Sequence, residues 1–216
     1  MATPSGYVPA LAYDWLTPAY DVVVRWTTRE RRFKQALLEQ AQLAAGQRVL
    51  DLACGTATLT ILAKQAVPGI DIAGLDGDPA ILARARAKAD KAGVAIRFDQ
   101  GLSTALPYAD ASFDRVLCSL FFHHLEAAAK RRSFAELARV LKPGGELHVA
   151  DWGAAANPAM RLAFLGIQLL DGFANTADNV RGLLPGMMRE AGLREVHERQ
   201  RFSTMWGTLS LYSAQR

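Results

Sequence analysis

The stretch VLDLACGTATLT, residues 49–60, decides the fold of this chain. An aliphatic run ends at Asp51, the chain turns at residues 54–56, and polar and apolar residues then alternate. This order is typical of a strand that leads through a tight turn into a helix, where nucleotides bind in doubly wound sheets. Gly55 is the only glycine of the turn, so the three-glycine pattern of dinucleotide sites is absent.

Strands and helices are predicted to alternate along most of the chain. A capping box at Thr27 and Glu30 begins a helix at 28–44. Apolar segments predict strands at 48–53, 70–76, 94–100, 113–119 and 146–151, and periodic segments predict helices at 56–66, 79–93 and 127–142. This order predicts an α/β fold with a doubly wound, mostly parallel, Rossmann-like sheet and helices on both faces.

The pattern changes after Asp151. Asn157 as an N-cap and Pro158 behind it predict a helix over 157–173, and a shorter helix is predicted within 179–192. Residues 193–202 and 206–215 alternate like two further strands, joined by a turn at 203–205. These two strands raise the predicted total to seven and form an antiparallel C-terminal edge.

The composition indicates one globular domain. The chain has 216 residues, of which 50% are hydrophobic and 21% charged. We assign this domain to residues 27–216 and expect the aromatic, proline-containing segment 1–26 to act as an arm or lid. Two cysteines in so long a chain are typical of free thiols in a reducing compartment. No signal peptide or membrane-spanning run is apparent, so we expect a cytoplasmic location.

Positive charge is concentrated before the first predicted strand. The net charge is +4, and the segment RWTTRERRFK, residues 25–34, is strongly basic. A solvated helix face is the usual interpretation of such a run. The alternative is contact with an anionic membrane surface, for which the available side chains are Arg29, Arg31, Arg32 and Lys34.

Asp76 has the spacing of a ribose-binding carboxylate. It ends the second predicted strand, 21 residues after Gly55, close to the offset of about 20 residues seen in nucleotide-binding sheets. Gly55 lets a ligand approach the backbone, and a helix beginning at Thr56 would offer its N-terminal amides to a negative group. The two positions together indicate an adenosine-containing cofactor.

Four segments in order resemble a known family. VLDLACGTATLT, IAGLDGDPAILARAR, ALPYADASFDRVLCSLFFHHL and ELARVLKPGGELHVADW are similar to the motifs of seven-stranded (class I) S-adenosylmethionine-dependent methyltransferases. The resemblance is strongest to the ubiquinone/menaquinone C-methyltransferase-like group and covers residues 48–151. It implies S-adenosyl-L-methionine as cofactor and S-adenosyl-L-homocysteine as product.

The resemblance also implies roles for individual residues. It places Asp51, Ala53 and Gly55 at the methionine end of the cofactor, Asp76 and Gly77 at the ribose, and Ser119 under the sulfonium. Gly101 and Leu102 fall at the adenine pocket. The remaining residues of the predicted cofactor site are Cys54, Thr56, Gln100 and Tyr20.

The chain departs from the family pattern at three positions. Ala53 and Ala57 stand where glycine is common, and Leu102 stands where an aspartate usually accepts a hydrogen bond from adenine. Backbone groups or Gln100 would have to supply that contact. We expect a side chain at position 55 to be excluded, and glycine at 53 or 57 to leave cofactor binding intact or tighten it.

His123 and His124 are the candidate catalytic bases. They follow the fourth predicted strand, and imidazole can take a proton near neutral pH from a phenol, thiol or carbon acid. The alternative is that one histidine packs beside the loop and the other lies on the surface. The spacing of the four histidines predicts no metal site. Cys118 lies in an apolar run and is predicted to be a core residue.

The predicted partner is a small-molecule methyl acceptor with an apolar or lipid-like body. The segments after the strand ends, among them those containing Phe164 and Phe173, are apolar and aromatic with few charges. SLFF occupies the place of the tetrad found in adenine-amino methylating enzymes, so no nucleic acid is expected. A non-catalytic S-adenosylmethionine-binding regulatory module and an NAD-dependent oxidoreductase are the alternatives. The oligomeric state stays open.

Overall fold

A computed structural model describes residues 30–216. A seven-stranded sheet forms its centre, and helices cover it. In chain order the elements are α1 (Glu30–Ala41), β1 (Arg48–Leu52), α2 (Thr58–Ala66), β2 (Asp71–Asp76), α3 (Pro79–Lys91), β3 (Arg97–Gln100), β4 (Phe113–Ser119), a 3-10 turn (Phe122–His124), α4 (Ala127–Val140), β5 (Leu141–Trp152), α5 (Pro158–Ala163), α6 (Leu165–Asp171), α7 (Phe173–Val180), α8 (Leu184–Glu190), β6 (Arg194–Thr204) and β7 (Gly207–Gln215).

The strand order confirms the predicted doubly wound sheet. It is β3-β2-β1-β4-β5-β7-β6, in which β1 to β5 run parallel and β7 pairs antiparallel with both β5 and β6. The order reverses between β1 and β4, where Leu52 lies beside Cys118. Ligands of such sheets bind outside the carboxyl ends of the strands at this reversal.

Local sequence explains where several helices begin. Asp78 caps α3 by accepting hydrogen bonds from the backbone of Ala80 and Ile81, and Pro79 needs no N–H in the first turn. Asn157 caps α5 in the same way through Met160, as predicted. α2 begins two residues later than predicted, because residues 55 and 56 form a turn and Ala57 is the N-cap.

The predicted helix over 157–173 is wrong as a single element. The structure divides it at Phe164, which is buried and packs on Trp152 with ring centroids 5.4 Å apart. α6 then ends at Gly172, whose φ of +91° no helix accommodates. α7 follows directly and was not predicted. Burying Phe164 against the sheet requires a change of direction that helical periodicity does not show.

α1 carries the start of the described chain to the carboxyl edge of the sheet. At its C-terminal end, the Ala41 carbonyl accepts a hydrogen bond from Arg115 near the beginning of β4. Near its N-terminal end, Lys34 is buried and its charge acts on Asp51 at the end of β1. Residue 30 therefore lies toward the edge at which nucleotides bind.

The structure corrects one member of the predicted membrane-contact cluster. Lys34 is not on the surface, because its Nζ lies 2.5 Å from Glu30 Oε1 and its side chain is buried. Arg31 and Arg32 are exposed, and Arg29 lies outside the described residues. Among residues 30–216, no helix has the length and apolarity needed to cross a membrane.

Candidate active site

The turn after β1 holds three alternate residues in the left-handed conformation. Ala53, Gly55 and Ala57 have φ values of +53°, +54° and +62°. A residue with a Cβ pays about 1–2 kcal/mol for this conformation. The turn is closed by the N–H of Ala57 donating to the Cys54 carbonyl at 2.9 Å. The alanines therefore keep the backbone path that glycine would take at the same positions.

Gly55 connects the turn to the end of β2. Its N–H donates to Asp76 Oδ2 at 3.0 Å. A Cβ at this position would meet no protein atom within 4 Å among the described residues. The expectation that no side chain is tolerated at position 55 stays a prediction, because only a ligand could fill this space.

Asp76 is held rigidly at the carboxyl edge. Its second oxygen accepts the N–H of Asp78 at 3.1 Å, and its carbonyl accepts the N–H of Gly101 at 3.1 Å. Burial raises the pKa of Asp76 above its ordinary value, although the two backbone N–H groups lower it. Gln100 donates its amide to the carbonyl of Gly77 at 3.3 Å. The structure thus brings the predicted ribose and adenine segments together.

Asp51 is a buried carboxylate beneath the same turn. It is 1% exposed and accepts a hydrogen bond of 2.6 Å from the Thr60 hydroxyl. Burial raises the pKa of Asp51 to about 6, against the lowering effects of Thr60 and of the Lys34 charge. Near pH 7 the site therefore holds a poorly solvated negative charge, which favours a cationic ligand group nearby.

In the predicted adenine segment, Leu102 occupies the position where related enzymes carry an aspartate, and no nearby carboxylate takes over that role among the described residues. The Leu102 side chain is 46% exposed, and its carbonyl accepts the N–H of Ala105. Asp99 is engaged elsewhere, since it accepts hydrogen bonds from the Tyr108 hydroxyl at 2.9 Å and from Arg97 at 3.0 Å. Gln100 stays the predicted source of a polar contact here.

Four other residues were predicted to lie at the cofactor: Cys54, Thr56, Ser119 and Tyr20. The Cys54 side chain packs in the core with Phe98, and burial raises the pKa of its thiol, so only its backbone can face a ligand. Thr56 lies in the turn and does not begin α2. Ser119 is the last residue of β4, as predicted, and is partly exposed. Tyr20 lies outside the described residues.

A second polar cluster lies two strands away, at the end of β5. Asp151 is fully buried there, and it accepts hydrogen bonds from His123 Nδ1 at 2.7 Å and from the Asn179 amide at 3.3 Å. Backbone N–H groups of Phe121, Phe122 and Trp152 also donate to it. Burial would raise the pKa of Asp151, but the His123 charge and these donors hold it below the ordinary value.

His123 and His124 share a second carboxylate, Asp171. His123 Nε2 lies 3.7 Å from Asp171 Oδ2, and His124 Nδ1 lies 3.6 Å from Asp171 Oδ1. Burial and the neighbouring His123 lower the pKa of His124 to about 3, and burial raises that of Asp171. Within residues 30–216 this trio is the one group whose possible metal-ligand atoms all lie within 4.8 Å of one another.

Sequence reasoning missed the two carboxylates that contact these histidines, and it missed Asn179, which donates to Asp151. Asp151 ends an apolar strand at the same edge as Asp51 and Asp76, which was a usable signal. Asp171 and Asn179 belong to helices whose boundaries were predicted wrongly, so no sequence pattern placed them here. The structure joins His123 to Asp151 and Asp171, and it joins Asn179 to Asp151.

A cavity of about 520 Å³ lies elsewhere, at the amino ends of β2 and β3. Asp71, Arg97 and Lys64 are among its lining residues. Asp76 lies at the opposite ends of these strands, where the ligands of such sheets bind, so this cavity is not the cofactor site.

The fold and the turn at Gly55 and Asp76 define a class I S-adenosylmethionine-dependent methyltransferase. Residues 49–145 match the family described as "Methyltransferase domain". A demethylmenaquinone methyltransferase of Thermus thermophilus is 34% identical over 154 residues, which cover 70% of this chain and 69% of that protein. The chain belongs to this methyltransferase family, and its cofactor is S-adenosylmethionine.

Two further comparisons extend over more of the chain. The ubiquinone/menaquinone biosynthesis C-methyltransferase UbiE of Syntrophotalea carbinolica is 28% identical over 223 residues, covering 94% of this chain and 92% of that protein. The crystal structure of an S-adenosylmethionine-dependent methyltransferase from Aquifex aeolicus matches with a TM-score of 0.65 at 18% identity. The match covers 84% of this chain and 88% of that one, and it shows that the two share a fold. The comparisons support a methyltransferase over the two alternatives, an NAD-dependent oxidoreductase and a non-catalytic cofactor-binding module.

Replacing Gly55 by Ala should weaken cofactor binding without unfolding the protein. The new methyl group meets no protein atom but enters the space left for the ligand. Calorimetry with S-adenosylhomocysteine should show a loss of affinity of roughly tenfold or more, about 1.4 kcal/mol. Ala53→Gly is the matched control, since it relaxes a left-handed residue and should retain affinity. Wild-type affinity in Gly55→Ala would contradict this placement of the ligand.

Asp51 should make the protein less stable as the pH rises. Its pKa is raised in the folded state, so the native protein keeps a proton that the unfolded chain releases between about pH 4 and 6. Above that window the ionised carboxylate costs about 3 kcal/mol. In thermal unfolding, Asp51→Asn should therefore gain more over the wild type at pH 7.5 than at pH 4.5. An equal gain at both pH values would argue against a raised pKa.

Proposed function

We propose that this enzyme transfers a methyl group to a ring carbon of a hydroxylated aromatic compound with an apolar body, a quinol-like acceptor. The observation that carries the proposal is the His123–Asp151 pair, with Nδ1 and Oδ1 2.7 Å apart. β5 lies two strands from β1, so the axes of these two strands are about 10 Å apart at the edge that carries both the pair and the turn. The name of the Thermus relative, a demethylmenaquinone methyltransferase, supports a quinone-type acceptor.

The chemistry needs a proton acceptor as well as a methyl donor. Loss of the hydroxyl proton makes the adjacent ring carbon nucleophilic, and that carbon then displaces the thioether from the sulfonium methyl group. The ring proton then passes to water, and the ring oxygen takes back the proton held on His123 Nε2, which restores the aromatic hydroxyl compound and the free base. Asp151 accepts the Nδ1 proton of His123, so Nε2 carries the lone pair that takes up the hydroxyl proton.

Apolar side chains above the sheet suit such an acceptor. The structure leaves four large ones at least half exposed on α5 to α7, the helices that follow β5: Leu162, Leu169, Leu170 and Phe173. Clusters of this kind mark binding surfaces for apolar ligands or membranes. Phe164, which the sequence also suggested, is a core residue and takes no part in this surface.

The N-terminal segment 1–26 is proposed to close over the site as a lid. α1 brings the described chain to the carboxyl edge beside Asp51, so the preceding residues join the domain next to the cofactor turn. In this proposal Tyr20 contributes to the cofactor site. The exposed Arg31 and Arg32 can rest on an anionic membrane from which a lipid-soluble acceptor is taken.

His123→Asn and Asp76→Ala should fail in different ways. Asparagine retains an N–H for Asp151 but has no group at the position of Nε2, so kcat should fall by about 10²–10⁴ while S-adenosylhomocysteine still binds. Asp76→Ala should lose roughly 100-fold or more in that affinity, because two hydroxyl contacts to a carboxylate disappear. The assay uses a reduced demethylmenaquinone and identifies a ring-methylated product by mass spectrometry.

Either of two results would overturn the proposal. Unchanged kcat in His123→Asn would remove this residue from the reaction. A product methylated on oxygen would show that the acceptor atom is not a ring carbon.

A chain that begins at residue 27 should bind cofactor weakly and show no turnover, although its domain remains folded. The deletion removes the proposed lid but none of the described elements. Circular dichroism checks the fold, and the full-length protein assayed with the same acceptor is the control. Unchanged turnover in the shortened chain would refute the lid.

A further inference from the structure

We infer that His123, His124 and Asp171 form a binding site for a divalent transition metal ion of the zinc type. Two imidazoles and one carboxylate are the donor set of many catalytic zinc sites. The three residues come from the 3-10 turn after β4 and from the end of α6. The inference concerns the same edge as the proposed function, and its metal-binding test does not depend on that function.

The distances suit a small contraction around an ion. The Asp171 oxygens lie 3.7 Å from His123 Nε2 and 3.6 Å from His124 Nδ1. A tetrahedral zinc ion with bonds of about 2.0–2.1 Å holds its ligand atoms about 3.3 Å apart. The two rings already lie side by side, with centroids 4.0 Å apart. All three possible ligand atoms lie within 4.8 Å of one another, so an ion would have to draw them closer together.

Asp151 supplies the outer support that metal-binding histidines require. Ligating imidazoles usually donate their other N–H to a carboxylate, which sets the tautomer and the ring orientation. His123 Nδ1 makes this contact with Asp151 at 2.7 Å, which directs the Nε2 lone pair to the side of Asp171. Asp151 is itself held by backbone N–H groups and by Asn179. The His123 ring is therefore already oriented to bind an ion through Nε2.

Charge and access also favour a cation. Asp151 and Asp171 place two carboxylates around the histidines, and the nearby Lys130 is committed to Asp178 at 3.2 Å. The side chains of His124 and Asp171 are each about one-fifth exposed, so an ion can reach the site and keep a coordination position for water or another oxygen ligand.

A metal ion would compete with the proposed reaction. A lone pair on His123 Nε2 cannot both bind a metal ion and accept a proton from the acceptor. On the basis of the proposed function, zinc therefore inhibits methyl transfer, and a chelator restores it.

Cobalt(II) titration of the tag-free, full-length protein tests the site directly. After treatment with a chelator, one equivalent of Co²⁺ should produce the intense visible absorption of a low-coordinate site, and Zn²⁺ should abolish it. His124→Ala and Asp171→Asn should each lose this absorption. Asp151→Asn should weaken binding by roughly 10–100-fold.

His197→Ala is the matched control. His197 is an exposed histidine 3.3 Å from Glu195, and within residues 30–216 this pair belongs to no group of three possible metal ligands, so its loss should leave cobalt binding unchanged. Circular dichroism checks the fold of each variant. If His124→Ala does not fold, Asp171→Asn still tests the metal site.

Two outcomes would overturn the metal site. The first is absence of stoichiometric binding, which would leave His123 as a residue that only contacts Asp151 and Asp171. The second is binding that survives in Asp171→Asn. Turnover separates the two proposals: cobalt binding without methylation of any quinol would sustain the metal site and refute the acceptor. Zinc-insensitive turnover in the wild type would refute the inhibition.

Discussion

The carboxylate of Asp151 is the interaction on which the acceptor half of the structure depends. It sits fully buried at the end of β5 and receives donors from the 3-10 turn, from its own strand and from α7. A buried charge that loses its partners costs roughly 3–5 kcal/mol, so these elements cannot easily separate. His123 takes its position from this constraint. The proposed base, His123, is therefore positioned by the buried carboxylate of Asp151.

The cofactor half rests on backbone geometry. Left-handed residues at 53, 55 and 57 carry the chain from β1 into α2, and the N–H of Gly55 reaches across to Asp76. Two of these residues are alanines, so the turn stores a few kcal/mol of strain that glycine would avoid. Asp51 beneath them adds a charge in a poorly solvated position. In the predicted placement, the positive charges of S-adenosylmethionine would offset the cost of the buried Asp51 charge.

Most of the sheet followed from sequence because strands and turns are local features. β4 lies where its apolar run predicted, and the caps at Asp78 and Asn157 form as their side chains require. The segment after β5 was predicted poorly. Phe164 bends the helix to reach Trp152, and that contact is formed between residues on different elements. Lys34 was likewise placed on the surface, whereas it is buried beside Glu30.

The turn at Gly55 and the cluster around His123 also differ in how far the sequence placed their residues. The sequence by itself determined that Gly55 lies beside Asp76, because Gly55 follows β1, Asp76 ends β2, and these two strands are adjacent and parallel. Only the tertiary structure decided the acceptor half. His123 meets Asp151 and Asp171 through a strand end and a helix end that are distant in the chain, and packing alone sets their contact. Local periodicity carries no signal for a meeting of that kind.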